Sequence, residues 1–150
     1  MNAFEGIVAA MADALSRAPA IADGNIQRGT GRPVPEGVDQ QVSLRLAGSN
    51  PSRGQIRGAP IDWTTTVMFE SAARGSITYP SGSVTGDQAA LALFQTAWER
   101  LFSDPTLGGL ALDMIPAPFE IDEDELDNPV GCVRSAVQVL HRTAANTLEV

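Results

Sequence analysis

The chain has 150 residues, 43% of them apolar, 19% charged and 5% aromatic, with a formal net charge of −8. A chain of this length can bury about 68–70% of its unfolded surface, so one globular domain over residues 1–150 is expected, and aliphatic side chains must fill most of its core. The charge argues against broad nucleic-acid binding, which needs cationic surface to displace counterions, and no apolar run approaches the ~20 residues that span a bilayer.

Phe4, Ile7, Val8, Met11 and Leu15 follow helical spacing behind Asn2-x-x-Glu5, a candidate capping box. This helix should end near Arg17, ahead of Pro19. Residues 23–37 are turn-rich, with room for one short strand around Ile26. Val38, Gln40, Val42, Leu44 and Leu46 alternate with Asp39, Gln41, Ser43 and Arg45, the period of a strand with one buried face. Residues 48–58 read as a loop, since Gly48, Asn50, Pro51, Gly54 and Gly58 fall close together. A long strand is expected over residues 61–74, with Trp63, Thr65, Val67 and Phe69 on one face and Thr64, Thr66, Met68 and Glu70 on the other.

Residues 76–86 read as a second loop. Thr85-x-x-Gln88 then caps a helix carrying Leu91, Phe94, Trp98, Leu101 and Phe102, whose apolar rows predict one broad buried face. Residues 111–121, interrupted by Pro116 and Pro118, suit an irregular or edge strand. The last strand is placed at residues 133–143, with Val133, Ser135, Val137 and Val139 opposite Arg134, Ala136, Gln138 and Leu140. Helix, strands, helix, strands predicts an α+β fold: a largely antiparallel mixed sheet with two helices packed on one face.

Little in the chain suggests chemistry. There is no lysine, which removes phosphate loops ending in Gly-Lys and lysine Schiff bases. Gly29-x-Gly31 lacks the third glycine of a dinucleotide fingerprint, and no serine lies in a Gly-x-Ser-x-Gly elbow. One histidine, His141, cannot build a multi-histidine metal site; a general base is one reading of it and a surface or core-edge residue the other. Cys132, the single cysteine, can form no intrachain disulfide and reads as a small hydrophobe. No enzyme activity and no cofactor are expected. The opening residues Met1-Asn2-Ala3-Phe4-Glu5 lack the basic region of a signal peptide, so a cytoplasmic site of assembly is expected.

Charge is distributed unevenly along the chain. Residues 104–127 hold eight acids and no base, whereas residues 24–74 hold six arginines against four acids. The run Glu120-Ile121-Asp122-Glu123-Asp124-Glu125 lacks the glycine and oxygen ligand that an EF-hand loop needs, counted from Asp122. It is either a solvated turn or a docking surface for a basic partner. The Arg53-Gly54-Gln55-Ile56-Arg57 segment is either an exposed connection or a loop that orders against a protein partner, where the arginine fork suits carboxylates.

Several motifs in fixed order resemble the tail terminator proteins of long-tailed phages, the minor tail protein U-like family. They are the opening amphipathic helix, Arg28-Gly29-Thr30-Gly31-Arg32-Pro33-Val34-Pro35, and Asp62-Trp63 before the long strand. The helix exit Asp104-Pro105-Thr106-Leu107-Gly108-Gly109-Leu110 and the final His141-Arg142-Thr143 complete the set. The resemblance covers nearly the whole chain. It implies a mixed α/β fold that forms a six-fold ring on the head-proximal end of the tail tube, assembled in the host cytoplasm. Such a ring stops addition of tube protein, presents a surface to the head-side connector, and lets DNA pass without reading its sequence. The family has no catalytic residues to transfer, and no membrane partner is implied.

Ring contacts are heterologous, one patch meeting a different patch on the neighbour. Arg28 and Arg32, or Arg53 and Arg57, are therefore candidate contacts for Glu120, Asp122, Glu123, Asp124 and Glu125 of a neighbouring subunit, or for the tube. Excess negative charge could instead line the channel. Beside the terminator reading stand a head-completion or neck protein of the same kind of virion, a relative from a contractile injection device or gene-transfer particle, and a small hydrolase using His141 as base.

Overall fold

The computed structural model describes residues 1–29, 34–53, 56–78, 82–123 and 130–149, with the side chains of residues 53, 76–78, 82–84 and 123 outside that description. Helix α1 spans Ala3–Leu15, and Asn2 Oδ1 accepts the Glu5 N–H at 2.9 Å, supplying the Asn2 half of the expected box. Ile7, Val8, Met11, Ala14 and Leu15 form its buried stripe. The helix stops two residues short of Arg17. Its last carbonyl, that of Leu15, and the carbonyls of Arg17 and Pro19 just beyond it accept from the Arg100 guanidinium.

Strand β1 (Ile26–Arg28) runs parallel to β2 (Gln40–Arg53), with Arg28 opposite Leu44. β2 continues well past the expected stop at residue 46, so residues 48–53 are strand rather than loop. The partner explains the difference. β3 (Ile61–Arg74) offers 14 residues of ladder, and β2 follows it to the Arg53–Ile61 pair with one register shift between Leu46 and Gly48. Beyond Leu44 the far edge of β2 meets no strand among the described residues, and an edge position tolerates Pro51.

Part of the second expected loop is likewise ordered pairing: β4 (Ser76–Thr78) and β5 (Gly82–Val84) form a small antiparallel hairpin. Helix α2 (Gly86–Leu101) carries both halves of the Thr85–Gln88 capping box, with Phe102 as C-cap. Leu107–Gly109 then make a single 3-10 turn in which Leu107, Gly108 and Gly109 all have positive φ (50°, 71° and 96°). The two glycines remove the Cβ that this conformation penalises. Asp104 accepts the N–H groups of Thr106 and Gly108 at 3.0 and 2.8 Å and so holds the turn.

The segment expected as one irregular edge strand is two short strands, β6 (Asp113–Pro116) and β7 (Glu120–Glu123), split where Pro116 and Pro118 fall. Both lie antiparallel on β8 (Val130–Thr143), which begins three residues earlier than expected. The sheet order is β1-β2-β3-β8-β6, with β7 also on β8. Among the described residues only the β1–β2 pair is parallel. This is the anticipated α+β architecture, a six-stranded mixed sheet with two helices.

Both helices share one core cluster with Val42, Leu44, Val67, Phe69, Val133, Val137 and Val139, the inner-face residues of β2, β3 and β8. The strand faces divide as the alternation predicts, because side chains two apart point the same way, except at Leu46, expected on the buried face but 42% exposed where the β2 register shifts. Each fully buried aliphatic side chain contributes about 1.5–3 kcal/mol. At the start of α2 the packing is closer still: a Cβ on Gly131 of β8 would lie 2.0 Å from the Gly86 carbonyl oxygen. On the opposite face Thr64, Thr66, Met68 and Glu70 stay half-buried, an arrangement antiparallel sheets permit.

Candidate interaction surfaces

The basic positions do not form one patch. Arg28 is exposed on edge strand β1, level with Leu44 of β2. Arg53 ends β2 nine residues further on, about 30 Å away at strand rise. Its side chain lies outside the described residues, as does all of Arg32. Arg57 is exposed in the turn between β2 and β3, next to Ile56, which is 79% exposed.

The acidic positions gather at β7. Glu120 and Asp122 are exposed, Glu123 pairs its backbone with Gly131, and Asp124 and Glu125 lie outside the described residues. Asp122 receives a hydrogen bond from Arg134 of β8, whose guanidinium also sits 4.0 Å from Glu70. The Asp122 bond holds the Arg134 pKa above its ordinary value. Part of the acidic surface is therefore answered within the chain. Sequence alternation placed Arg134 on the outward face but gave no sign of its partner, because the β7–β8 register was not foreseeable.

Two of the ordered motifs meet across β3 and β8. Asp62 lies opposite Arg142 and Trp63 opposite His141. Arg142 reaches Asp62 through both a 2.6 Å and a 3.1 Å hydrogen bond, a two-point pair. That pair keeps the Asp62 carboxyl below its usual range. On the other face Trp63 Nε1 donates to Thr143 Oγ1 at 2.9 Å, and Phe4 of α1 meets both Trp63 and His141 edge-on at 5.1 and 5.2 Å.

His141 is 1% exposed. Its Nε2 lies 2.6 Å from Thr65 Oγ1, which lies 2.7 Å from Ser49 Oγ, and Ser49 donates to the Thr64 carbonyl at 3.3 Å. The direction of this chain follows from its end. With Ser49 donating to a carbonyl, Thr65 donates to Ser49 and His141 Nε2–H donates to Thr65. Nδ1, which has no partner among the described residues, is then a bare lone pair. The reverse order would bury an unpaired N–H, the costlier choice. Burial lowers the imidazole pKa. Neither His141 nor Thr65 is open to a substrate in this arrangement, and no carboxylate is within its hydrogen-bonded chain.

Two shallow clefts flank α2. One, of about 140 Å³, lies between the helices and includes Asp13, Arg17, Arg100 and Asp104. The other, of about 310 Å³, is bordered by residues 20–23 and by Ala89, Ala92 and Thr96. Both are at or below the low end of ligand-pocket size. Among the described residues no group of three or more His, Cys, Asp or Glu is placed to hold a metal ion, and no helix is long and apolar enough to cross a membrane. Comparison of the chain with protein-family models and with curated proteins finds no match in either.

Proposed function

We propose that the chain is a structural virion protein of the tail-terminator kind. It forms a ring, of six subunits in that family, on the head-proximal end of a tail tube, ends tube polymerisation and offers a surface to the head-side connector. The observation carrying this reading is the order of the motifs over nearly the full chain. Two of them, Asp62-Trp63 and His141-Arg142-Thr143, are facing partners in the sheet, and the opening helix joins them through Phe4. Such a brace supports a role as scaffold for recurring surfaces. The separation of basic and acidic surfaces fits heterologous assembly, in which unlike patches meet.

The test is the mass of the full chain, alone and mixed with the tail tube protein of the same particle, by light scattering and negative-stain microscopy. Rings of about six subunits, free or formed on tube ends, are expected. A chain that ignores tubes but binds the portal-side complex would instead make it a neck protein.

A further inference from the structure

Four of the nine large apolar side chains exposed among the described residues fall within residues 112–121: Leu112, Ile115, Phe119 and Ile121. They lie on or beside β6 and β7, the short strands on the outer side of β8. A free sheet edge beside exposed apolar side chains is a template on which a strand of another chain can add. The backbone of β6 answers this hazard.

Ala117 donates its N–H to the Ala136 carbonyl at 3.1 Å, so Ala117 faces β8. Alternation then turns Asp113 and Ile115 towards β8, and Met114 and Pro116 away from it. The Met114 N–H goes to Asp113 Oδ1 at 2.8 Å. Pro116 has no N–H, and neither has Pro118 just beyond. Leu112, ahead of the strand, donates to the Leu140 carbonyl at 2.7 Å. Among the described residues the outer edge of β6 therefore offers carbonyl oxygens and no N–H.

The other edge of the sheet differs. Val42 donates to the Asn25 carbonyl and the Leu44 carbonyl accepts from Gly29, so even-numbered residues of β2 face outward up to the register shift between Leu46 and Gly48. Beyond the shift the odd-numbered residues do. There Pro51 lacks an N–H, but Ser49 and Arg53 have one. A strand on β2 could exchange hydrogen bonds, whereas a strand on β6 would bury its own carbonyls unpaired.

We propose that Asp113, Pro116 and Pro118 make the β6 edge a strand stop, which keeps the β2 edge of a second copy from extending the sheet there. The stop does not depend on the ring reading. In a ring or a monomer alike, neighbours meet this flank through side chains and not through a shared sheet.

Restoring the donors tests it. Asp113→Ala frees the Met114 N–H, and Pro116→Thr with Pro118→Thr returns two more while adding little apolar surface. The triple variant should associate beyond the wild-type mass in light scattering, increasingly with concentration. Amide exchange at positions 114, 116 and 118 should slow in the associated form. Each change alone should give a weaker form of the same behaviour, which keeps the test readable if the triple variant does not fold. The Met114 amide should exchange at least about tenfold faster in Asp113→Ala than in the wild type. Asp113→Asn, which loses the charge and keeps the acceptor, should behave as the wild type. Folded variants that keep the wild-type mass at every concentration overturn the stop. So does an unchanged Met114 exchange rate in Asp113→Ala, or a map of assembled wild-type protein with a neighbour's strand paired to β6.

Discussion

At the scale of the residue, His141 shows how a side chain suited to catalysis becomes a core element. Phe4, Trp63 and Thr65 face it, none of them charged; the Asp62–Arg142 pair lies on the other side of the sheet. Protonation would add an N–H at Nδ1, which has no acceptor among the described residues. The folded pKa lies below the unfolded value of about 6.5, so the unfolded chain takes up the proton first. The stability owed to neutral His141 is therefore complete above that unfolded value and declines as pH falls from it towards the lower folded pKa. The unfolding free energy from urea titrations should drop between about pH 7 and pH 5.5, by at most about 1.4 kcal/mol per pH unit for one proton. His141→Gln should flatten that slope whatever it does to the midpoint at neutral pH. An unchanged slope in the variant would assign the acid sensitivity to the carboxylates.

At the scale of the element, two glycines in regular structure should respond oppositely to the same change. A methyl on Gly131 would meet the Gly86 backbone oxygen at 2.0 Å, and that oxygen cannot rotate away. Gly131→Ala must push α2 off β8 and should cost roughly 1–3 kcal/mol, more if the helix shifts as a unit. Gly6 in α1 has nothing within 4 Å of the corresponding position. Gly6→Ala should stabilise by roughly 0.5–1 kcal/mol through helix propensity. Equilibrium urea unfolding of both variants reads the contrast, and a neutral Gly131→Ala would mean that α2 has slack on the sheet. Packing of this kind was invisible in the sequence, where Gly131 is one glycine beside a strand. The capping box at Thr85 was visible because its partners sit three residues apart.

At the scale of the whole molecule, assembly must overcome like charge. Each copy carries −8, spread over a body of about 15 Å radius of gyration. The screening length is about 30 Å at 0.01 M salt and about 10 Å at 0.1 M. Repulsion between whole subunits is thus screened across that range, while a contact pair a few ångströms apart keeps most of its attraction. Self-association, measured by light scattering, should therefore strengthen as salt rises from about 0.01 to 0.1 M. A steady weakening over that range would mean that long-range attraction between opposite patches dominates.

Local signals of short range were enough to specify much of this protein. The face pattern of β3, the helical spacing of Phe4 to Leu15 and the Thr85–Gln88 cap each depend on residues within a few positions of one another, so the α+β fold was legible. Ordered turns at Gly108 and Gly109 follow from the same local chemistry. The tertiary structure alone decided what depends on distant partners. Residues 48–53 became strand because β3 ran alongside, Arg100 closed a helix more than 80 residues earlier in the chain, and Asp122 found Arg134. It also decided which candidate charges lie near one another, separating Arg28 from Arg57 and placing β7 at the far end of β8 from the Ile56 turn. The reason is physical: a residue's periodicity reports which face it occupies, but only the closed sheet brings its partner to that face.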